Sequence, residues 1–179
     1  MPVYVSMLRG VNVSGRNRIA MADLRDLYER HGHTDVATYV QSGNVVSRAA
    51  SRRAGAVERA IGRAIADDLG LDVAVLVRTP AQLDHVLDGN RFLPSGDPKL
   101  LHVTFLATSP GPGRVAALDE RVDAPDEFHV VGREVYVSCP GGYGRTKINN
   151  AWFEQKLQVV ATTRNWKTVG QLAALARAR

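Results

Sequence analysis

The sequence predicts an α+β chain built from two halves that share one order of elements. Three observations carry that prediction. Short β-branched apolar runs recur with polar, Gly-containing breaks between them, apolar residues between the runs step every three or four positions, and the pattern restarts after a Pro- and Gly-rich stretch at residues 90–99. With 179 residues, 45% hydrophobic and 23% charged, the chain is long enough to bury a sizeable core, which excludes collagen, a coiled coil or a disordered tail.

VYVSML (3–8) reads as the first strand and RGVNVSGRNR after it as a loop. Met21, Leu24, Leu27 and Tyr28 recur at helical spacing, with Gly32 placed to end that helix. VATYV (36–40) and NVVS (44–47), separated by Gln41, Ser42 and Gly43, read as a hairpin or as one bulged strand. Val57, Ile61, Ile65 and Leu69 step every four residues before Gly70, which marks a helix with one face on a sheet, and DVAVLV (72–77) closes the half as a strand. The order β-α-β-β-α-β over residues 1–78 is that of a ferredoxin-like plait.

Thr79-Pro80-Ala81-Gln82 has a capping residue, proline at the first helical position and Gln three residues after the cap, so a helix begins there and runs to about Asp88. With NRFLPSGDPK (90–99) it makes a helix-and-linker segment, 79–99. In the second half, 100–179, LLHVTFLA reads as a strand and GRVAALDER as a helix. DEFHVV and EVYVS follow as strands, and a helix runs from about Ile148 to Gln158. Thr162 to Thr168, polar and basic around Trp166, reads as a corner anchored by the indole. Thr168 to Gln171 is a second capping box, opening a terminal helix with Leu172 and Leu175 inward. The expectation is therefore a second plait without an evident last strand, ending in helices.

The net charge is +5 with a pI near 9.7. Residues 1–20 hold three basic and no acidic side chains and residues 140–179 seven basic and one acidic, so the ends are cationic and the middle is not. That asymmetry points to an anionic partner. A single cysteine, Cys139, forms no internal disulfide and fits a reducing compartment, and no apolar run is long enough for a signal peptide or a membrane span, so a cytoplasmic location without membrane association is expected. No Cys/His cluster or H-E-x-x-H pattern is present, so no metal and no other cofactor is expected. His31 and His33 flank Gly32, where an imidazole can satisfy helix carbonyls, and Cys139 reads as a small buried hydrophobe.

LRGVNVSGRNRIAM (8–21), TYVQSGNVV (38–46) and ATTRNWKTV (161–169) together resemble a bacterial family known only as domain of unknown function 1697. The resemblance spans essentially the whole chain. It implies two ferredoxin-like halves, and it carries over no activity and no catalytic residue.

Four segments hold the candidate site residues. The loop from Arg9 to Arg18 joins a strand end to a helix start, and Arg9, Asn12, Arg16 and Arg18 with two glycines suit an anion. In a ferredoxin-like plait the first and third strands are expected to be adjacent and parallel, so the loops leaving them open on one edge, and on the hairpin reading Arg48, Arg52 and Arg53 join Arg9, Arg16 and Arg18 on a single cationic rim. CPGGYGRTKINN (139–150) supplies Arg145 and Lys147 at a second Gly-rich helix start, where Tyr143 can stack or hydrogen-bond, although the order of its Lys and Thr does not match a phosphate-binding loop. Arg164 completes the set. The function expected is a binding module for phosphate-bearing ligands, either nucleic acid backbone or a phosphorylated metabolite. The alternatives are an enzyme acting on a small anionic substrate between the halves, and an oligomerisation or protein-interaction domain.

Overall fold

A computed structural model describes residues 1–179, which form two compact units, Met1–His85 with Gln171–Arg179, and Val86–Gly170. The first unit contains β1 (Val3–Leu8), α1 (Met21–Arg30), β2 (Thr34–Tyr39), β3 (Asn44–Arg48), α2 (Ala54–Leu69) and β4 (Val75–Arg78). Its sheet has the order β2-β3-β1-β4, antiparallel throughout, so the hairpin reading of 36–47 holds. The apolar stripes Leu24, Leu27, Tyr28 on α1 and Val57, Ile61, Ile65 on α2 pack against Tyr4, Leu8, Val45 and Val77. Each such burial is worth about 1.5–3 kcal/mol for a large aliphatic side chain. Gly70 ends α2 in the left-handed conformation, as its position at the end of the stripe predicts.

The chain passes between the units within α3 (Pro80–Asp88). Its predicted capping box is reciprocal: Thr79 N donates to Gln82 Oε1 at 2.9 Å and Gln82 N donates to Thr79 Oγ1 at 3.3 Å. The 90–99 segment is not a separate linker but part of the second unit, where Asn90 Oδ1 accepts from Phe92 N at 3.0 Å and Phe92 is buried.

The second unit contains β5 (Leu101–Leu106), α4 (Pro112–Ala116), β6 (Glu127–Val131), β7 (Glu134–Ser138), α5 (Asn150–Leu157) and β8 (Ala161–Asn165), with sheet order β6-β7-β5-β8, again antiparallel. Its core joins Leu106, Phe128, Val135 and Val137 to Phe153 and Leu157 of α5. Two expectations are corrected. The last strand exists: the polar stretch from Ala161 pairs with β5, its β-branched threonines suit a strand, and Arg164 is buried rather than solvated. The predicted helix over 113–121 is only α4, five residues long, beyond which Asp119 Oδ1 takes the Arg121 N–H in a local turn.

The final helix, α6 (Trp166–Arg177), starts three residues earlier than the Thr168 box predicts, because Asn165 Oδ1 accepts from Thr168 N at 2.8 Å and serves as the cap. From Gln171 onward it belongs to the first unit, so the division at residue 100 does not hold to the C-terminus. Arg177 Nε donates to Asp84 Oδ1 at 2.9 Å and Arg179 Nε to the Asp35 carbonyl at 3.0 Å.

The duplication of element order extends to single hydrogen bonds. Leu8 N donates to the Gly43 carbonyl and Arg9 N to that of Ala74; correspondingly, Leu106 N donates to Arg133 O and Ala107 N to Val160 O. Both outer strands next to the centre are closed by a helix carboxylate. Glu58 Oε1 of α2 accepts from Val77 N, and Glu154 Oε1 of α5 from Ala161 N, each at 2.8 Å.

Gly43 has a steric reason to be glycine. Its φ is +74°, and a Cβ there meets Leu8 Cβ at 2.9 Å and Val11 Cβ at 3.3 Å. Gly132, the left-handed residue of the second hairpin, has nothing within 4 Å. Gly132→Ala is therefore expected to cost about 1–2 kcal/mol for the backbone alone, and Gly43→Ala that plus about 1–3 kcal/mol of overpacking. Urea unfolding of both variants checks the order; equal losses refute the steric account.

Candidate anion site

The segment between β1 and α1 folds as a short strap. Five of its residues are left-handed: Gly10, Asn12, Ser14, Gly15 and Asn17, with φ of 66°, 55°, 49°, 76° and 45°. Ser14 and Gly15 form the two-residue centre of a tight turn closed by Arg16 N to Val13 O at 2.9 Å, the turn geometry that two consecutive left-handed residues produce. Below it, Asn12 N donates to Asn17 O at 3.2 Å, and Asn17 Nδ2 donates to Gly10 O at 3.1 Å. Buried Val11 and Ile19 root the strap in the first core.

Asn12 holds the base of the strap. Its Nδ2 donates to Ile19 O at 2.9 Å and to Gln41 O at 2.7 Å, while its Oδ1 accepts from Ile19 N at 3.0 Å. The second of these bonds ties the strap to the β2–β3 turn, where Val40 is also left-handed at φ 49°, an uncommon state for a β-branched residue.

Two concavities result. One, of about 470 Å³, is lined by Arg9, Gly10, Val13, Ser14, Arg16 and Asn17. The other, of about 410 Å³, is lined by Asn12, Gly15, Arg18, Ile19, Ala20 and Gln41. A Cβ on Gly15 would lie 3.6 Å from a terminal nitrogen of Arg18, so the Arg18 side chain folds back along the strap. Neither lining contains a carboxylate, a histidine or a thiol. The equivalent loop of the second unit, Ala107 to Pro112, has no arginine.

The other predicted residues do not join this group. β1 and β3 are antiparallel, not parallel, with Val3 opposite Arg48 and Met7 opposite Asn44. Arg48, Arg52 and Arg53 therefore leave at the far end of the ladder from Arg9, Arg16 and Arg18, roughly 17 Å away at strand rise, and the single six-arginine rim does not form. Arg48 is engaged with the Met1 carbonyl at 3.0 Å and with Asp35 at 3.7 Å. Asn12 has both amide hydrogens on carbonyls and acts as a brace instead of an anion donor.

Around the second Gly-rich segment an internal carboxylate takes the place expected for a ligand. Asp123 accepts from Thr146 Oγ1 at 3.3 Å and from Lys147 N, and its other oxygen lies 3.7 Å from Lys147 Nζ. Arg145 is exposed on the adjacent turn, while Tyr143 stacks on His102 at 4.3 Å and its hydroxyl accepts from Asn150 N at 2.9 Å. Arg164 is buried, which lowers its pKa to about 10, and it donates to Thr162 Oγ1 at 2.7 Å and to Thr163 O at 2.9 Å. Burial likewise raises the Tyr28 and Tyr143 hydroxyls, lowers His33 and His102, and pushes the Cys139 thiol up to about 11. His31 pairs with Asp68 at 3.2 Å rather than with helix carbonyls. No group of three His, Cys, Asp or Glu side chains is placed to hold a metal ion.

Sequence reasoning missed Asn17 and the Gln41 carbonyl, which shape the strap, and Asp123, which fills the second segment. The Ser14-Gly15 pair was the available signal for the first; nothing local links Asp123 to a lysine 24 residues on.

The fold and strap define a duplicated α+β protein whose β1–α1 loop bears arginines that its counterpart in the second unit lacks. The chain belongs to the DUF1697 family, described as proteins of unknown function, whose model matches residues 1–136. Its fold is similar to that of a conserved bacterial protein from Streptococcus pneumoniae, with 19% identity, a TM-score of 0.77 and 99% of each chain covered. A search of curated proteins gives no match. No helix is long and apolar enough to cross a membrane.

Because Asn12 braces two loops, Asn12→Ala is expected to destabilise the protein by about 1–3 kcal/mol, whereas exposed Arg16→Ala stays within about 0.5 kcal/mol of wild type. Thermal unfolding with amide exchange at Ile19 measures both. Unaltered exchange in Asn12→Ala contradicts the bracing role.

Proposed function

We propose that this protein binds a phosphate-bearing ligand at the strap between β1 and α1, with Arg9 and Arg16 as clamps and Arg18 serving the adjoining concavity. The observation that carries this reading is a braced concavity flanked by two guanidinium groups with no carboxylate in its lining. Guanidinium forks match phosphate oxygens in pairs. A strap held by Asn12 and Asn17 needs little ordering on binding, which favours affinity.

Binding is favoured over catalysis because the linings offer donors but no group to act as a general base near neutral pH. Of the six exposed large apolar side chains only Val13 and Val40 lie on adjoining loops, too small a patch to favour an oligomerisation surface. The reading includes two ferredoxin-like plaits, supported by the two sheet orders, a bacterial origin, supported by the similar bacterial structure, and a cytoplasmic setting, supported by a lone buried thiol.

Thermal unfolding with inorganic phosphate, nucleoside monophosphates and sugar phosphates tests the proposal. Ligand at a hundred times its Kd is expected to stabilise by about 2.7 kcal/mol, and Arg9→Ala/Arg16→Ala to abolish the shift. An unmoved midpoint at tens of millimolar phosphate, or a shift retained in the double variant, overturns it.

A further inference from the structure

We infer that the outward face of α2 docks the phosphodiester backbone of a nucleic acid strand. Arg52 and Arg53 precede the helix, and Arg59 and Arg63 follow one turn apart; all four are exposed and none forms an ion pair. Arg52 and Arg53 lie just before the helix, Ala54 to Arg63 covers about 14 Å of it, and Arg59 and Arg63 are about 6 Å apart along it, so one small anion cannot engage all four, whereas a chain of phosphates can.

Three acids share α2 with this array. Glu58 accepts from Val77 N at 2.8 Å through Oε1, while its Oε2 lies beside Gly55 near the Arg59 guanidinium. Asp68 holds Arg30 at 3.0 Å and His31 at 3.2 Å, and Asp67, exposed one turn beyond Arg63 on the same side of the helix, ends the row.

The residues between the arginines select among polyanions. Ala60 and Ala66 are exposed there, and the large apolar side chains Val57, Ile61 and Ile65 face the core. A protein partner would need an apolar or aromatic anchor at the centre of the contact, and a bilayer surface would need Trp, Phe or Leu among the cations. The face has neither. It also has no aromatic ring for base stacking, so recognition is of the backbone and independent of sequence. The array begins at the end of β1 opposite the strap and does not depend on the strap's ligand.

The test is fluorescence anisotropy of the full chain with a labelled 20-nucleotide single strand and a 20-base-pair duplex between 50 and 200 mM salt. Four phosphate contacts predict an affinity loss of roughly 50-fold on the single strand and roughly 150-fold on the duplex over that range. Arg52→Ala/Arg53→Ala and Arg59→Ala/Arg63→Ala should each halve the slope on the logarithmic plot, and Arg59→Lys/Arg63→Lys should restore it, since the slope counts charges. Circular dichroism confirms folding of each variant.

Three results overturn the inference: no binding of either oligonucleotide at 50 mM salt; slopes unchanged in both alanine pairs; or binding to phosphatidylglycerol vesicles in place of oligonucleotides. If only Arg9→Ala/Arg16→Ala lowers the slope, the contact belongs to the strap and the α2 face is refuted while the strap reading stands.

Discussion

The antiparallel placement of β1 between β3 and β4 is the constraint on which the rest of the first unit depends. Because β1 runs against both neighbours, its C-terminal end meets the β2–β3 turn on one side and the start of β4 on the other. Leu8 N bonds to Gly43 O and Arg9 N to Ala74 O, so the chain leaves the sheet in a clamped position. The strap inherits that position. Its left-handed residues are tolerated because Asn12 ties both limbs to the β2–β3 turn. The same direction sends β3 out at the opposite end, and α2 starts there with Arg52 and Arg53. One pairing direction thus separates two groups of arginines that are close in number along the chain.

Most of the fold was legible in the sequence because it rests on local periodicity. The stripes of α1 and α2, the Gly70 stop and the reciprocal Thr79–Gln82 box depend on residues three or four apart, and all are present. What was not legible depends on distant partners. β8 is polar, and only its pairing with β5 makes a strand of it. The return of residues 171–179 to the first unit depends on Asp35 and Asp84, far away in the sequence. The single rim does not form because β1 and β3 run antiparallel, a matter of topology and not of composition. At the candidate site the residue types were legible but their roles were not: Asn12 looked like a donor for a ligand and is a brace, and Lys147 looked available and lies against Asp123.

The charge total misleads for the same reason. Arginines that contribute equally to +5 have unequal surroundings. Arg30, Arg48, Arg177 and Arg179 hold carboxylates or carbonyls of their own unit, and buried Arg164 donates to threonine and backbone oxygens. Such groups add structure and little outward field. Among the exposed arginines that supply outward potential, which include Arg91, Arg114, Arg121 and Arg145 of the second unit, two sets stand out, one on the strap and one on α2.

Those two sets differ in what geometry lets them recognise. On the proposed reading the strap presents its guanidinium groups around a concavity whose backbone is fixed by side-chain bonds, so the loop itself needs little ordering when a ligand arrives. The α2 arginines stand on a helix with alanine between them, where spacing is regular and direction is not fixed, so a repeated charge is matched by number. A pinned loop and a helical row need not serve one ligand. The equivalent loop at 107–112 carries no arginine, so the strap's clamp is peculiar to the first unit although the two sheets share one strand order.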